Sequence, residues 1–250
     1  MVSWVISFIT ALLTWINQGS RIPVPVTPLP SPVKNVKNIQ VGGINYGYAV
    51  VGGIDPGQLK LVPNFSDKSP SNQLVKDNQC ELGINGGFYT PENLPLGWLV
   101  IAGSEISSAK STSLLLNGYV AVADGKVEIL ESKPKSLVSY GLQTGPVLVS
   151  GGKARQLSMA KDELARRMVM GTDKAGKAVF LTVFNPQTEI LGPRLADLPQ
   201  IVVMVAKKEI IDLEAAVNLD GGRASAFYSP DLTLKEADPV GGWWCVGEDF

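Results

Sequence analysis

The sequence predicts an α+β fold, with a mixed, mostly antiparallel β-sheet and a few helices packed against it. Short apolar stretches separated by glycine follow one another along most of the chain, and consecutive strands of this kind favour antiparallel pairing. Only two segments, 158–166 and 197–208, look helical, and the second has apolar residues at helical spacing. A continuous alternation of strand and helix, which would indicate a parallel sheet, is absent.

The composition is typical of a globular chain that is rich in turns. Its 250 residues are 45% hydrophobic and 18% charged, and they include 26 glycines and 17 prolines. This length allows one large domain or two small ones, with a sizeable core.

The first 17 residues are apolar and carry no charged side chain. As a helix they would span about 25 Å, slightly less than the roughly 30 Å hydrocarbon core of a bilayer. They predict a secretion signal or a short membrane anchor at 1–20, and the alternative is a buried core helix. With a signal or anchor, the protein would be extracellular or at the cell surface, and this segment would be its only contact with a membrane.

A proline-rich linker is predicted at 21–37, where prolines occupy positions 23, 25, 28, 30 and 32. Closely spaced prolines prevent helix formation and favour an extended polyproline II chain. The folded domain is therefore expected at 38–250.

Within that domain, the expected strands follow one another with turns between them. They lie at 44–54, 59–63, 82–89, 97–103, 113–130, 145–153 and 165–184. The stretch 113–130 is predicted to form a hairpin around 123–126, and the stretch 165–184 is predicted to form two strands around 173–176.

Charge and the absence of histidine exclude several classes of function. The net charge is −1 and no long run of either sign occurs, so the basic stripe of a nucleic-acid-binding protein is missing. The chain contains no histidine, which excludes Ser-His-Asp and Cys-His catalysis and HExxH zinc sites. Acid–base chemistry would have to use Asp, Glu, Lys, Tyr or metal-bound water.

The two cysteines, Cys80 and Cys245, do not form a CxxC motif, so a zinc cluster is not expected. In an exported chain they could form a disulfide, whereas in a cytoplasmic chain they would be buried thiols.

Two segments, LGINGG at 82–87 and VNLDGG at 217–222, share a pattern. In each, apolar and polar residues alternate, so that a strand would present Asn85 or Asp220 on one face just before a pair of glycines. Glycines there permit positive φ and allow a ligand to approach backbone amides. The alternative is an ordinary hairpin turn, for which Asn-Gly and Asp-Gly are strong signals.

Two further motifs have both a structural and a functional interpretation. Arg166-Arg167 begins a predicted strand, where arginine either faces water or makes a two-pronged contact with phosphate or carboxylate. Gln143-Thr144 precedes a tight turn, which is either an ordinary turn or a place where two hydrogen-bonding side chains meet a ligand.

Taken in order, five motifs resemble those of the phosphodiester glycosidase family: INGGFY, PLGWLVIAG, QTGPVLVSGGK, an arginine that opens a strand ending in Gly171, and NLDGG. The resemblance covers about residues 40–245. It implies hydrolysis of the glycosidic bond of a sugar-1-phosphodiester, with a carbohydrate phosphodiester as the substrate. The leaving group would be a phosphate monoester, which needs little protonation, so an enzyme without histidine could perform the reaction.

The resemblance implies that Asp220, Arg167 and Asn85 are the catalytic residues. Asp220 would be the nucleophile, or the base for water, at the anomeric carbon, and Arg167 would hold the phosphate. The residues implied to bind the substrate are Gly86, Gly87, Gln143, Thr144, Asn218, Gly221, Gly222, Arg223 and Ser225. Glu81, whose side chain alternates onto the Asn85 face, is a weaker candidate for a second carboxylate and has no counterpart in the family motifs.

No cofactor and no metal site are predicted. Asp220, Asn218 and Asn85 carry oxygens that could ligate calcium, but no loop has an EF-hand pattern.

Three positions depart from the family pattern and are expected at the edge of the ligand site. Met168 replaces the usual threonine, and Arg223 and Ala224 replace a glycine and a serine. These departures favour a second hypothesis, in which a surface-tethered module binds carbohydrate without cleaving it.

A third hypothesis is a purely structural exported domain. It predicts that Asn85, Arg167 and Asp220 lie apart, whereas a functional site requires that they converge on one pocket.

Overall fold

The computed structural model describes residues 36–248 of the chain. The predicted signal or anchor at 1–20, and the predicted linker up to residue 35, lie outside the described residues. Within 36–248, no helix is long and apolar enough to cross a membrane. The first strand, β1, covers Lys37–Val41.

The largest sheet has seven strands, and every pair of neighbours is antiparallel. In the order in which they lie side by side, they are β1, β2 (Ile44–Ile54), β13 (Ala178–Phe184), β12 (Arg167–Asp173), β14 (Leu213–Asn218), β10 (Val147–Ser150) and β11 (Lys153–Ala154). Val169 of β12 lies opposite Asn218 of β14, so the start of β12 and the end of β14 meet at the same end of the sheet.

Two five-stranded sheets, also antiparallel, complete the fold. The second sheet runs in the order β16 (Thr233–Leu234), β15 (Phe227–Tyr228), β4 (Leu82–Asn85), β17 (Gly242–Val246) and β3 (Leu59–Pro63). The third runs in the order β6 (Ser104–Ser107), β5 (Leu99–Ile101), β9 (Tyr140–Thr144), β7 (Gly118–Ala123) and β8 (Lys126–Leu130). Short 3₁₀ turns cover Pro56–Gln58 and Gly222–Ala224.

Two α-helices lie within the described residues, α1 (Ser71–Asp77) and α2 (Leu198–Lys208). The buried face of α2 has apolar residues at helical spacing, namely Leu198, Ile201, Val202 and Val205. This face packs on one side of the seven-stranded sheet, where it shares a core with Leu148, Val169 and Leu181.

The main core lies on the opposite side of the seven-stranded sheet, against the two smaller sheets. Met168, Met170 and Phe180 of the large sheet are fully buried there, and Ile84 and Trp244 of the second sheet belong to the same cluster. Each buried side chain of this size contributes about 1.5–3 kcal/mol to folding. The three sheets therefore form one packed body around this core.

Most of the predicted strands are confirmed. The stretches 44–54 and 59–63 coincide with β2 and β3. The hairpins predicted around 123–126 and 173–176 join β7 to β8 and β12 to β13.

The predicted fold class is too rich in helix, and its single sheet is replaced by three. The helix predicted at 197–208 is confirmed as α2. The sequence did not predict α1, because its seven residues are too few to show apolar residues repeating at helical spacing. The description that fits residues 36–248 is a β-rich fold of three antiparallel sheets with two helices.

The outer segment, residues 158–166, forms no helix, so the helix predicted there is wrong. The Asp162 carboxylate accepts hydrogen bonds from the backbone amides of Leu195 (2.7 Å) and Ala196 (2.8 Å). These amides lie more than thirty residues further along the chain, so a tertiary contact, and not local helical spacing, sets the path of the outer segment.

The carbonyl groups of the outer segment are also used outside a helix. The carbonyl of Glu163 accepts a hydrogen bond from the Arg167 side chain at 2.6 Å, and that of Asp162 accepts one from the Arg194 side chain. These contacts hold the outer segment against the seven-stranded sheet and the turn before α2.

Cys80 and Cys245 form a disulfide and are not a pair of free thiols. Cys80 lies just before β4 and Cys245 lies in β17, so the bond joins two neighbouring strands of the second sheet. Disulfides that close long loops of chain typically contribute about 2–5 kcal/mol to folding.

Candidate active site

A cavity of about 520 Å³ opens where β12 begins and β14 ends. Six of the predicted site residues line it: Arg167, Asn218, Asp220, Gly221, Gly222 and Arg223. A second cavity, of about 590 Å³, lies by the turn between β7 and β8, and none of the predicted site residues lines it. We therefore place the candidate site in the cavity of about 520 Å³.

Asp220 lies two residues beyond the end of β14, and its backbone is fixed on both sides. Its amide donates to the carbonyl of Gly86 (3.2 Å), and its carbonyl accepts from the side chain of Asn85 (2.9 Å). Its carboxylate accepts a hydrogen bond from the Gly221 amide at 2.9 Å.

Burial raises the pKa of Asp220 from 3.8 to about 7, although the bond from the Gly221 amide acts in the opposite direction. A carboxyl group with this pKa exists in both protonation states near neutral pH. Such a group can act as a nucleophile, a base or an acid under ordinary conditions.

Asn85 is buried, and both ends of its side-chain amide have hydrogen-bond partners. Nδ2 donates to the carbonyls of Gly86 (3.0 Å) and Asp220 (2.9 Å), and Oδ1 accepts from the amide of Ala226 (3.0 Å). Asn85 does not belong to the cavity lining. Through its bond to the Asp220 carbonyl, Asn85 positions Asp220, and its catalytic role stays a prediction.

Gly221 and Gly222 allow the chain after Asp220 to turn against the start of β12. Gly222 has a φ of +63°, and its amide donates to the carbonyl of Arg166 at 2.9 Å. A Cβ at Gly221 would lie 2.9 Å from the same carbonyl oxygen. This distance is too short for a side-chain carbon, so only glycine fits at this position.

Arg167 lies in the cavity wall beside Gly221. Its Nε donates to the carbonyl of Pro193 (3.0 Å), and its Nη2 donates to the carbonyl of Glu163 (2.6 Å) and to the Asp162 carboxylate (3.4 Å). Within residues 36–248, Nη1 has no hydrogen-bond partner, and it lies 4.0 Å from the position that a Cβ at Gly221 would occupy. Nη1 is therefore the guanidinium nitrogen that is available to an anion.

The charge on Arg167 is maintained by its neighbours. Burial lowers the pKa of this guanidinium, and the carboxylates of Asp162 and Glu163 act in the opposite direction.

Arg166, the neighbouring arginine, is buried and structural. Its Nε donates to Ser225 Oγ at 2.8 Å, and the other guanidinium nitrogens donate to the carbonyls of Glu189 (3.2 Å), Ser225 and Lys235 (2.6 Å). Ser225 is fully buried in this network, where it stabilises the turn after NLDGG, and it does not line the cavity. Its contact with substrate stays a prediction.

Asn218 lines the cavity at the end of β14 and is only 3% exposed. Its Nδ2 donates to the carbonyl of Gly145 at 3.0 Å, whereas its Oδ1 has no hydrogen-bond partner among the described residues. Its backbone carbonyl accepts a hydrogen bond from Thr144 Oγ1 at 2.9 Å. Thr144 is fully buried, positions Asn218 through this bond and does not belong to the cavity lining, and its contact with substrate stays a prediction.

Gln143 is also buried and connects backbone segments. Its side-chain oxygen accepts from the amides of Trp98 (3.2 Å) and Lys110 (2.9 Å), and its nitrogen donates to the carbonyls of Lys110 (3.0 Å) and Leu116 (3.3 Å). Gln143 therefore holds these backbone segments together, and its contact with substrate stays a prediction.

Gly86 and Gly87 lie between strands, outside the cavity lining. The Gly86 amide donates to the carbonyl of Gly242 at 2.7 Å, and a Cβ at Gly87 would lie 3.2 Å from the carbonyl oxygen of Gln143. They fix the end of β4, and through it Asp220, but do not meet a ligand in the cavity as predicted.

The three departures from the family pattern have different surroundings. Arg223 is exposed at the cavity rim, where its guanidinium makes two hydrogen bonds with Asp238 (2.8 and 2.9 Å), and Ala224 is beside it in the lining. Met168 is fully buried in the main core, so its expected place at the ligand edge is wrong.

The outer segment contributes cavity residues that sequence reasoning missed. Met159, Lys161, Asp162 and Glu163 all line the cavity. The sequence signal for these residues is the charged run Lys-Asp-Glu at 161–163, shortly before the arginine pair. Helical spacing alone would place this run on a solvent-exposed face. By contrast, Glu81 is exposed and lies outside the lining.

No metal site is apparent in residues 36–248. There, no group of three or more Cys, Asp or Glu side chains is close enough to hold an ion.

A sequence model of the family described as phosphodiester glycosidase matches residues 78–246. The match begins just before β4 and ends with β17, so it includes every residue that lines the candidate site. A search of curated protein sequences finds no match.

Solved structures show the same fold. The zebrafish N-acetylglucosamine-1-phosphodiester alpha-N-acetylglucosaminidase catalytic domain, auto-inhibited by its pro-peptide, matches with a TM-score of 0.66 and 14% identity, over 86% of this chain and 82% of that one. A hypothetical protein from Synechocystis matches with a TM-score of 0.59 and 15% identity, over 84% of this chain and 61% of that one. At these identities, the likeness concerns the fold alone.

Proposed function

Because this chain belongs to the phosphodiester glycosidase family, we propose that it is a hydrolase that cleaves the glycosidic bond of a sugar-1-phosphodiester. The observation that carries the proposal is the convergence of Asp220 and Arg167 on one cavity. A carboxylate with a pKa of about 7 and a guanidinium whose Nη1 has no partner among the described residues thus line the same cavity.

In the proposed reaction, the ionised carboxylate of Asp220 attacks the anomeric carbon of the sugar. The bond between that carbon and the phosphate oxygen breaks, and its electron pair leaves with the phosphate monoester. Arg167 binds the phosphate and stabilises the charge that develops on it. Water then releases the sugar from Asp220.

The leaving group explains how the site can dispense with histidine. A phosphate monoester is a much weaker base than an alcohol, so its departure needs little protonation. Arg167, and Lys161 of the outer segment, both line the cavity and supply positive charge to it.

The remaining cavity residues would bind the rest of the substrate. Asn218 faces the sugar, and the absence of side chains at Gly221 and Gly222 leaves room for it. Arg223 and Ala224 at the rim would meet the group on the far side of the phosphate, so the departures at these positions bear on its identity.

We also propose an extracellular or cell-surface setting. The disulfide between Cys80 and Cys245 is of a kind that persists in oxidising compartments, and the apolar segment predicted at 1–20 is consistent with export.

The test is turnover of methyl phosphodiesters of sugar-1-phosphates by the purified chain. The set begins with N-acetylglucosamine, the sugar in the name of the zebrafish relative, and continues with glucose, galactose and mannose. Release of methyl phosphate and free sugar is followed by phosphorus NMR. Asp220→Asn should lower turnover about 10,000-fold and Arg167→Ala about 1,000-fold, because each removes a group that acts in the transition state.

Asp124→Asn provides a matched control, because Asp124 lines the cavity beside β7 and β8 and not the candidate site. It should retain wild-type turnover. Full turnover by Asp220→Asn would contradict the assignment, and tight binding of these compounds without any product would support the carbohydrate-binding module instead.

A further inference from the structure

Four carboxylate-bearing residues line the candidate site: Asp162, Glu163, Asp220 and Asp238. Glycosidases generally divide their chemistry between two carboxyl groups. The proposed function uses Asp220 alone, so a second carboxylate is to be sought among the other three.

Two of these three are already occupied by structural contacts. Asp162 accepts hydrogen bonds from the amides of Leu195 and Ala196. Asp238 is held by two hydrogen bonds from the guanidinium of Arg223 at the rim. These contacts occupy the carboxylate lone pairs with which a base would bind water.

Glu163 differs from both. Among residues 36–248, no hydrogen bond or ion pair engages its carboxylate, and the residue is exposed. Its backbone is nevertheless fixed, because its carbonyl accepts a hydrogen bond from Arg167 Nη2 at 2.6 Å and the preceding residue is the anchored Asp162. The carboxylate is also near enough to Arg167 to oppose the effect of burial on the pKa of that guanidinium.

Glu163 and Asp220 reach the cavity from two different segments of the chain, and Arg167 lines it with them. Arg167 Nη2 donates to the backbone carbonyl of Glu163 at 2.6 Å, and Nη1 is 4.0 Å from the position that a Cβ at Gly221, the residue after Asp220, would occupy. Two carboxylates and an arginine on one cavity are the groups that a two-step reaction of a bound phosphodiester requires.

We propose that Glu163 is the general base that activates water in the second half of the reaction. This inference rests on the proposed function, in which the sugar is first transferred to Asp220. Glu163 removes a proton from water, and the water oxygen forms a bond to the anomeric carbon. The bond between that carbon and Asp220 breaks, its electron pair returns to the Asp220 carboxylate, and Glu163 releases the proton to solvent.

The two halves of the reaction should depend on Glu163 to different degrees. Phosphate leaves in the first half without help from an acid, so that half should proceed without Glu163. Attack by water in the second half needs a base, so that half should become slow. Two displacements at one carbon also predict that the released sugar retains its anomeric configuration.

The test is pre-steady-state turnover by Glu163→Gln of the methyl phosphodiester that the wild-type chain cleaves fastest. We expect a burst of about one equivalent of methyl phosphate, then steady turnover about 100- to 10,000-fold below wild type. The intact mass of the protein should increase by one glycosyl group during the slow phase. Azide, which needs no base, should restore turnover and give a glycosyl azide of retained configuration.

The matched control is Glu128→Gln, the same change at an exposed glutamate of β8 outside the cavity lining. It should show wild-type turnover. Because Glu163 is exposed, Glu163→Gln should melt within a degree or two of wild type, so a loss of folding is separable from a loss of base.

Wild-type turnover by Glu163→Gln would overturn the assignment, as would reduced turnover without a burst or a glycosyl adduct. An inactive wild-type chain would instead overturn the proposed function on which the assignment rests.

Discussion

The two walls of the cavity are held in place by different kinds of contact. The strand wall, formed by Arg167, Asn218 and the Asp220–Gly222 turn, continues β12 and β14 and is fixed by backbone hydrogen bonds to the carbonyls of Gly86 and Arg166. The outer segment, by contrast, is held mainly by side chains that bind backbone groups, with Asp162 at their centre. Ladders of backbone bonds form and break together, whereas isolated side-chain anchors can be lost one at a time. We therefore expect the strand wall to hold the reacting groups rigidly. We expect the outer segment to determine how well the rest of the site is formed around them.

The largest expected effect concerns the protonation of Asp220 in the strand wall. Its carboxylate must be ionised to attack, and its pKa in the empty site is about 7. The value of kcat/KM for a methyl phosphodiester should therefore rise with pH and level off above 7, and at pH 5 it should be roughly 100-fold lower than at pH 8. A rate that instead falls as the pH rises through 7 would mean that Asp220 acts as an acid.

Removal of the Asp162 carboxylate tests whether the outer segment depends on this one anchor. Asp162→Ala leaves the amides of Leu195 and Ala196 without their partner and takes one contact from Arg167. We expect kcat/KM to fall about 10- to 100-fold, mainly through KM, and the free energy of unfolding to fall by about 1–3 kcal/mol. Amide hydrogen exchange should become faster in the outer segment and remain slow in β14.

Asp197→Ala is the control for that change. Asp197 is exposed next to the same turn, and its side chain makes no capping hydrogen bond to α2. Asp197→Ala should leave activity and amide hydrogen exchange unaffected. Equal exchange rates of the outer segment in Asp162→Ala and wild type would show that this segment does not depend on its anchor.

The smallest effect is expected at the rim, where Arg223 replaces the glycine of the family. The ion pair between Arg223 and Asp238 is exposed to solvent, and neither side chain is buried against the strand wall. Arg223→Gly should change KM by no more than about five-fold and leave kcat unchanged. Arg155→Gly, which removes another exposed ion pair away from the cavity, is the matched control. A large change in kcat would place Arg223 among the catalytic groups.

The difference between the walls also explains what could be predicted from the sequence. The strand wall follows from local pattern: alternation in VNLDGG brings Asn218 and Asp220 to one side, and the glycine pair marks the close approach to Arg166. Most strands were predictable for the same reason, since alternation and turn residues are local signals.

The outer segment was not predictable in this way. Its path depends on contacts between Asp162 and amides more than thirty residues further along the chain, which no local spacing reveals. The same holds for three predicted site residues that lie outside the cavity lining. Asn85, Gln143 and Thr144 carry the polar groups of a binding site, but each is buried against backbone partners from distant segments.

The disulfide also bears on how the protein would withstand proteases. Cys80 and Cys245 are separated by 165 positions, so most of the folded domain lies within one covalent loop. Exposed loops such as the outer segment are where proteases usually cut first. A single cut there would leave β4 and the Asp220–Gly222 turn in pieces that are still covalently joined, so a nicked molecule would keep the strand wall attached to the strand whose end positions Asp220.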